Sequence, residues 1–307
     1  MCSKVYLLVF LISTLTSLSI GEGLFPQSSR HVRAALKIPV GQISAKKCEE
    51  YSKLVKNNEC THFNPDKPWD YEAKSGEFPH LALLNIEGDD KLYCAGSLIS
   101  DKFVLTAPYC PIHLEKKNGN GTFWVRLGEN SLEPTTKSAL RLKVVKYHNH
   151  PEYSDTNNKR ENYMSLLELE KSVQFDETKR PACLNTVKEI VEPVFVSGWG
   201  ISAENRGIKS KTLLKTVLEI SKVNEKPLNV DPDSPMLILT KPKPGKKDAC
   251  MGDSGAPVMT NLKSHPCMYN IVGVVAYGGR CSQDQTASAR VSNYIQWIES
   301  IVWPEGY

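Results

Sequence analysis

The stretch Lys247-Asp248-Ala249-Cys250-Met251-Gly252-Asp253-Ser254-Gly255-Ala256-Pro257 holds a serine between glycines, with one aspartate directly before it and another six positions upstream. That composition suits a nucleophile loop. Gly252 and Ser254 can turn bare backbone N–H groups toward a developing oxyanion, and Gly255 lets the chain bend beside the hydroxyl. A serine hydroxyl is a poor nucleophile at neutral pH. The chemistry therefore also needs an imidazole to take its proton and a carboxylate to orient that imidazole.

The elements that would have to position these groups are strands. Residues 78–86, 91–99, 103–107, 122–127 and 140–147 are short runs rich in aliphatic and aromatic side chains, separated by Gly, Asp, Asn and Pro. Similar runs follow at 194–200, 213–220, 236–239, 257–260, 271–277 and 288–291. Such spacing predicts many-stranded β structure. Residues 292–303 alone in this part of the chain read as a helix, with Ile295, Ile298 and Ile301 at three-residue steps and Trp297 beside them.

At the N-terminus, Lys4 followed by the apolar run 5–20 and Ser19-Ile20-Gly21 has the build of a secretory signal peptide over residues 1–21. Residues 22–68 show no sustained alternation and read as an extended leader, with one short helical candidate at 47–57 and two cysteines, Cys48 and Cys60. No later stretch is long and apolar enough to span a membrane. Of nine cysteines, Cys2 leaves with the signal and an even set remains, which in an exported chain argues for disulfides rather than metal ligands. The formal net charge of +4 is small for 307 residues, and the basic run 241–247 reads as a solvated loop; no nucleic-acid partner, cofactor or metal is expected. Asn120-Gly121-Thr122 is a glycosylation sequon.

The loop around Ser254 resembles the GDSGGP box of the chymotrypsin/trypsin family, with one glycine replaced by Ala256. Further motifs match over residues 72–303: Glu77-Phe78-Pro79-His80, Cys94-Ala95-Gly96-Ser97-Leu98-Ile99, Arg180-Pro181-Ala182-Cys183-Leu184, Ser197-Gly198-Trp199-Gly200 and the segment from Arg290 to Ile298. The chain is most similar to the secreted clip-type proteases of arthropod haemolymph, without the clip module. The resemblance implies an all-β fold of two antiparallel six-stranded β-barrels with a C-terminal helix, over a protease domain at 69–307.

Against that family the sequence departs at its chemistry. Where the family has TAAHC, this chain reads Thr106-Ala107-Pro108-Tyr109-Cys110, so the resemblance puts Tyr109 at the histidine position. Where the family has DIALL, Tyr163 stands at the aspartate position. A phenol, with a reference pKa of about 10 against about 6.5 for imidazole, cannot usefully take the serine proton. No basic residue followed by Ile-Val precedes Glu72, so Asp253 would lack the ammonium partner that zymogen cleavage creates. Asp248 matches the aspartate with which trypsin-like enzymes recognise Arg or Lys, and Gly278 matches the pocket wall. Thr286 falls where the opposite wall carries glycine, which would narrow the slot.

The resemblance also implies the disulfides Cys94–Cys110, Cys250–Cys281 and Cys48–Cys183, leaving Cys60 with Cys267. The expected function is that of a secreted, non-catalytic serine protease homologue that binds an extracellular protein, an active serine protease or its substrate, as adaptor, decoy or cofactor. An active endopeptidase cleaving after Arg or Lys, using Ser254 with another base, is the alternative from the enzyme class. A surface or polysaccharide binder is the third reading.

Overall fold

Short apolar runs punctuated by turn residues close into two barrels in the computed structural model. The structure describes residues 38–55, 72–86, 92–119, 122–133, 139–156, 159–202, 210–221, 234–242, 249–250, 254–262, 264–265, 267–278 and 285–306. They all belong to one unit, Lys37–Tyr307; the other unit, Met1–Leu36, lies outside the described residues together with the signal peptide expected at 1–21.

The first barrel is built from β1 (Leu81–Ile86), β2 (Cys94–Leu98), β3 (Phe103–Thr106), β4 (Phe123–Leu127), β5 (Leu140–Asn149) and, after a small hairpin of β6 (Ser154–Thr156) and β7 (Lys159–Glu161), β8 (Ser165–Leu169). Its order is β1-β2-β3-β8-β5-β4, and antiparallel pairing of β4 with β1 closes it. Leu84, Val104, Val125, Leu142 and Leu166 are buried in its core. Burial of such side chains contributes roughly 1.5–3 kcal/mol each relative to exposure.

The chain then adds β9 (Cys183–Leu184) and enters the second barrel through β10 (Val194–Gly198). After β11 (Ile201–Ser202) come β12 (Leu214–Ile220), β13 (Leu237–Pro242), β14 (Ala249–Cys250), β15 (Pro257–Asn261), β16 (Tyr269–Gly278) and β17 (Thr286–Arg290). The ring runs β15-β10-β12-β13-β17-β16 and closes by pairing β16 with β15. The two-residue β9 lies parallel on β16, and β11 pairs with β14. Trp199 is fully buried, and its indole N–H donates to the Asn130 carbonyl at 3.2 Å. A buried ion pair of Lys215 with both Glu77 carboxylate oxygens, at 2.8 Å each, fastens the segment before β1 to β12.

Among the described residues three α-helices accompany the barrels. The expected C-terminal one is α3 (Ile295–Val302), which buries Ile295, Ile298 and Val302. The leader, read from sequence as extended, carries α1 (Gln42–Ser52), five residues earlier than the helical candidate at 47–57. Its start has no side-chain cap of its own. Instead, the buried Glu299 carboxylate of α3 accepts the Gly41 N–H at 3.1 Å and the Ser44 N–H at 2.7 Å, supplying the acceptors that a helix N-terminus needs. Gly41, at φ 89°, turns the chain into the helix where a side chain would press on Thr186. Cys48 is joined to Cys183 of β9, as the resemblance implied, and Tyr51 packs edge-on against Phe175 at 5.7 Å. The third, α2 (Tyr109–Asn118), was not foreseen. It starts after Pro108, tolerates Pro111 in its first turn and stops at Gly119, whose φ of 67° is the left-handed helix terminator.

Candidate active site

The serine is fastened from both barrels through its backbone. The Ala95 N–H of β2 donates to the Ser254 carbonyl at 3.1 Å, and the Gly255 N–H donates to the Val275 carbonyl of β16 at 2.8 Å. Thr106 Oγ1 in turn donates to the Ala95 carbonyl at 2.7 Å. Gly255 sits at φ 87°, and a Cβ there would run into the Ala95 carbonyl oxygen and Thr106 Oγ1. This close approach is why glycine follows the serine, a reason beyond the bend expected from sequence. Cys110 Sγ lies 3.3 Å from the Ser254 carbonyl oxygen; as a disulfide sulfur it has no proton to give, so this is a packing contact. Ser254 is left half-buried.

Tyr109 is the first residue of α2, directly before the cysteine that touches the serine. The Cys94–Cys110 disulfide, with Cα atoms 5.8 Å apart, ties this helix to β2. Rather than turning inward, the phenol is 42% exposed and its ring stacks on His113 one helical turn later, with centroids 5.0 Å apart and planes 16° apart. The row continues through Tyr93, whose ring is 6.2 Å from His113, to Lys117, whose ammonium lies 4.4 Å from the Tyr93 centroid.

Tyr163 precedes β8 and is 4% exposed. Its ring meets Tyr153 edge-on at 5.6 Å and Tyr277 edge-on at 6.0 Å. Its backbone hydrogen-bonds the Tyr294 phenol, which burial nonetheless pushes upward in pKa. The position expected for an orienting carboxylate is thus occupied by one ring of an aromatic group drawn from both barrels. Glu161 is exposed, and Glu168 points at His148, 3.7 Å away.

Besides His113 on Tyr109, three described histidines pack in other surroundings. His80 is buried at 1% exposure with Nε2 3.1 Å from Met259 Sδ, and burial, with Arg180 nearby, pulls its pKa down to about 3. His148 is held below the ordinary imidazole value mainly by burial and by Lys146, with Glu168 opposing. His150 packs against Tyr294 at 5.4 Å and Trp297 at 5.2 Å, and burial lowers it as well. Among the described residues no group of three His, Cys, Asp or Glu could hold a metal ion.

The family profile described as Trypsin matches residues 68–298. The chain belongs to the trypsin family. This trypsin-family chain is 28% identical over 309 residues to the serine protease snk of Drosophila melanogaster, which spans 91% of this chain and 68% of that protein. It is 31% identical over 249 residues to the serine protease Hayan of the same fly, covering 75% of this chain but only 38% of Hayan. It is 28% identical over 250 residues to phenoloxidase-activating factor 3 of Holotrichia diomphalia, covering 74% of this chain and 70% of that one. Among solved structures, neuropsin, a serine protease expressed in the limbic system of mouse brain, superposes with a TM-score of 0.61. At 22% identity over 76% of this chain and 98% of its own, neuropsin speaks for the fold.

On the trypsin-family frame, Gly278 and Thr286 are cross-strand neighbours, paired between β16 and β17. Gly252, Asp253 and Asp248 lie outside the described residues, as do Cys281, Cys60 and Asn120 of the sequon; of Cys250 only the backbone is described, paired with Ile201. Cys267 is disulfide-bonded. No helix among the described residues is long and apolar enough to cross a membrane.

Proposed function

We propose that this trypsin-family protein is secreted and acts by binding another protein rather than by cutting it. The observation that carries the reading is the pair of tyrosines: Tyr109 stacked outward on His113, and Tyr163 buried between the rings of Tyr153 and Tyr277. Neither phenol can serve as the base or the orienting carboxylate that a serine nucleophile needs. Loss of a triad member in enzymes of this type lowers the rate by roughly four to six powers of ten. The reading of residues 1–21 as a signal peptide and the disulfides support export. The name of one relative, phenoloxidase-activating factor 3, supports a protein partner, for which we propose an extracellular serine protease or its substrate.

The test is hydrolysis of short Arg and Lys peptide substrates by the purified protein before and after limited proteolysis, with a Ser254→Ala control. The expected result is no turnover above the control in any sample. Turnover abolished by Ser254→Ala would sink the reading in favour of an active endopeptidase. That alternative draws its support from the serine itself, whose carbonyl is fastened to β2 and whose neighbour Gly255 is fastened to β16.

A further inference from the structure

We infer that the outer face of the first barrel, where β4 and β5 run side by side, docks an acidic segment of a partner protein. This goes beyond the reading above and holds whether or not Ser254 turns over substrate.

Along β5, Leu142 and Val144 are buried while Arg141 is exposed and Lys143 half-buried, the alternation of a strand with one face in a core. The pairing with β8 then shifts: Val144 faces Leu169 but Lys146 faces Glu168, which makes Val145 an extra residue. A bulge of this kind re-aims side chains. Here it leaves Val145 55% exposed with Lys146 exposed beside it. On the neighbouring strand Trp124 is paired with Lys143, and the Arg141 guanidinium lies 4.8 Å from the centre of its ring. One surface thus joins a half-buried indole, an exposed valine and three cations.

The acids of the neighbourhood do not neutralise that row. Glu168 is directed at the His148 imidazole 3.7 Å away, and the Glu170 carboxylate accepts the Lys143 backbone N–H at 3.1 Å. Among the described residues Arg141, Lys143 and Lys146 enter no ion pair within 4.0 Å. Glu168 opposite Lys146 and Glu170 beside Lys143 relieve part of their mutual repulsion, and a negatively charged visitor would relieve more. Trp and Arg are the side chains most enriched at binding anchors, and charge complementarity supplies orientation and on-rate. A sulfated polysaccharide would satisfy the cations but would leave Val145 and Trp124 without an apolar contact. A protein segment carrying acidic side chains and one apolar side chain satisfies both.

The experiment measures binding of a labelled synthetic peptide of glutamates around one leucine to the full-length protein. Its glutamine counterpart and a heparin hexasaccharide serve as comparison probes. The glutamate peptide is expected to bind, more weakly as salt rises, and the glutamine peptide to bind at least about tenfold more weakly. The combined variant Arg141→Glu, Lys143→Glu, Lys146→Glu should lose about tenfold or more in affinity, and the single variant Val145→Asp several-fold, with unchanged melting curves. A Lys116→Glu, Lys117→Glu pair on α2 should leave affinity unaltered. Equal peptide binding by all the variants, or tighter binding of the hexasaccharide than of the glutamate peptide, would overturn the inference.

Discussion

Glu299 and Ser44, 255 residues apart, meet at 2.7 Å where a carboxylate of α3 receives a backbone N–H at the start of α1. With the Gly41 N–H on its other oxygen, that carboxylate is the cap that the local sequence of α1 lacks. Glu299→Ala should lower stability by about 2 kcal/mol or more, since two buried donors lose their acceptor. Glu299→Gln, which keeps one acceptor oxygen, should cost about half as much. Denaturant melts, with hydrogen exchange at the Ser44 amide, provide the check; equal stability of wild type and alanine variant would remove the cap from the account.

The buried His80 makes stability depend on pH. Its folded-state pKa of about 3 lies below the ordinary imidazole value of 6.5, so the unfolded chain binds the proton more readily. The stabilising effect of the neutral ring is complete above about pH 6.5 and is lost as pH falls toward 3, by roughly 4–5 kcal/mol in all. His80→Phe should flatten this part of the stability profile. A variant that keeps the same acid slope would assign it to other groups.

Gly255 admits no side chain. At φ 87°, with the Ala95 carbonyl and Thr106 Oγ1 where a Cβ would go, Gly255→Ala must move the serine loop away from β2. We expect a loss of about 3 kcal/mol or more, from backbone strain and overpacking together. Thermal melts would show it, and a variant as stable as wild type would mean that the loop can detach from the first barrel at little cost.

Restoring the triad letters should not restore an enzyme. Tyr163→Asp exchanges a ring packed on Tyr153 and Tyr277 for a small carboxylate at a 4% exposed site, and should cost about 3–5 kcal/mol, the range for truncating a large buried aromatic. Tyr109→His on an exposed site should be nearly neutral for stability. The double variant is expected to show no peptide hydrolysis, because Thr286 still adjoins Gly278 and no activation sequence precedes Glu72. Robust turnover by the double variant would refute that view of the pocket.

The barrels were legible because their strands stand out as short apolar runs between turn residues, and the reading of Tyr109 at the family's histidine position rests on Cys110 directly after it. What escaped did so for physical reasons. The strand β8, between β3 and β5, is a five-residue run that opens on Ser165 and is interrupted by the half-buried Glu168, which leaves too short an apolar stretch to stand out. In α2 only Cys110, Pro111 and Leu114 are buried, too few to mark a helical face against its lysines. The start of α1 is set by a carboxylate at the other end of the chain. The meeting of Tyr163 with Tyr277 belongs to the closure of two barrels on each other, and no local pattern encodes it.

The fastening of α1 has a consequence for what other molecules can sense. The helix is joined covalently to β9 through Cys48–Cys183 and electrostatically to α3 through Glu299. A nick anywhere in residues 56–71 would therefore leave two pieces that sediment together and part only on a reducing gel. An antibody or receptor reading residues 42–52 would meet the same epitope before and after the cut, so this region can report the protein's presence but not its history.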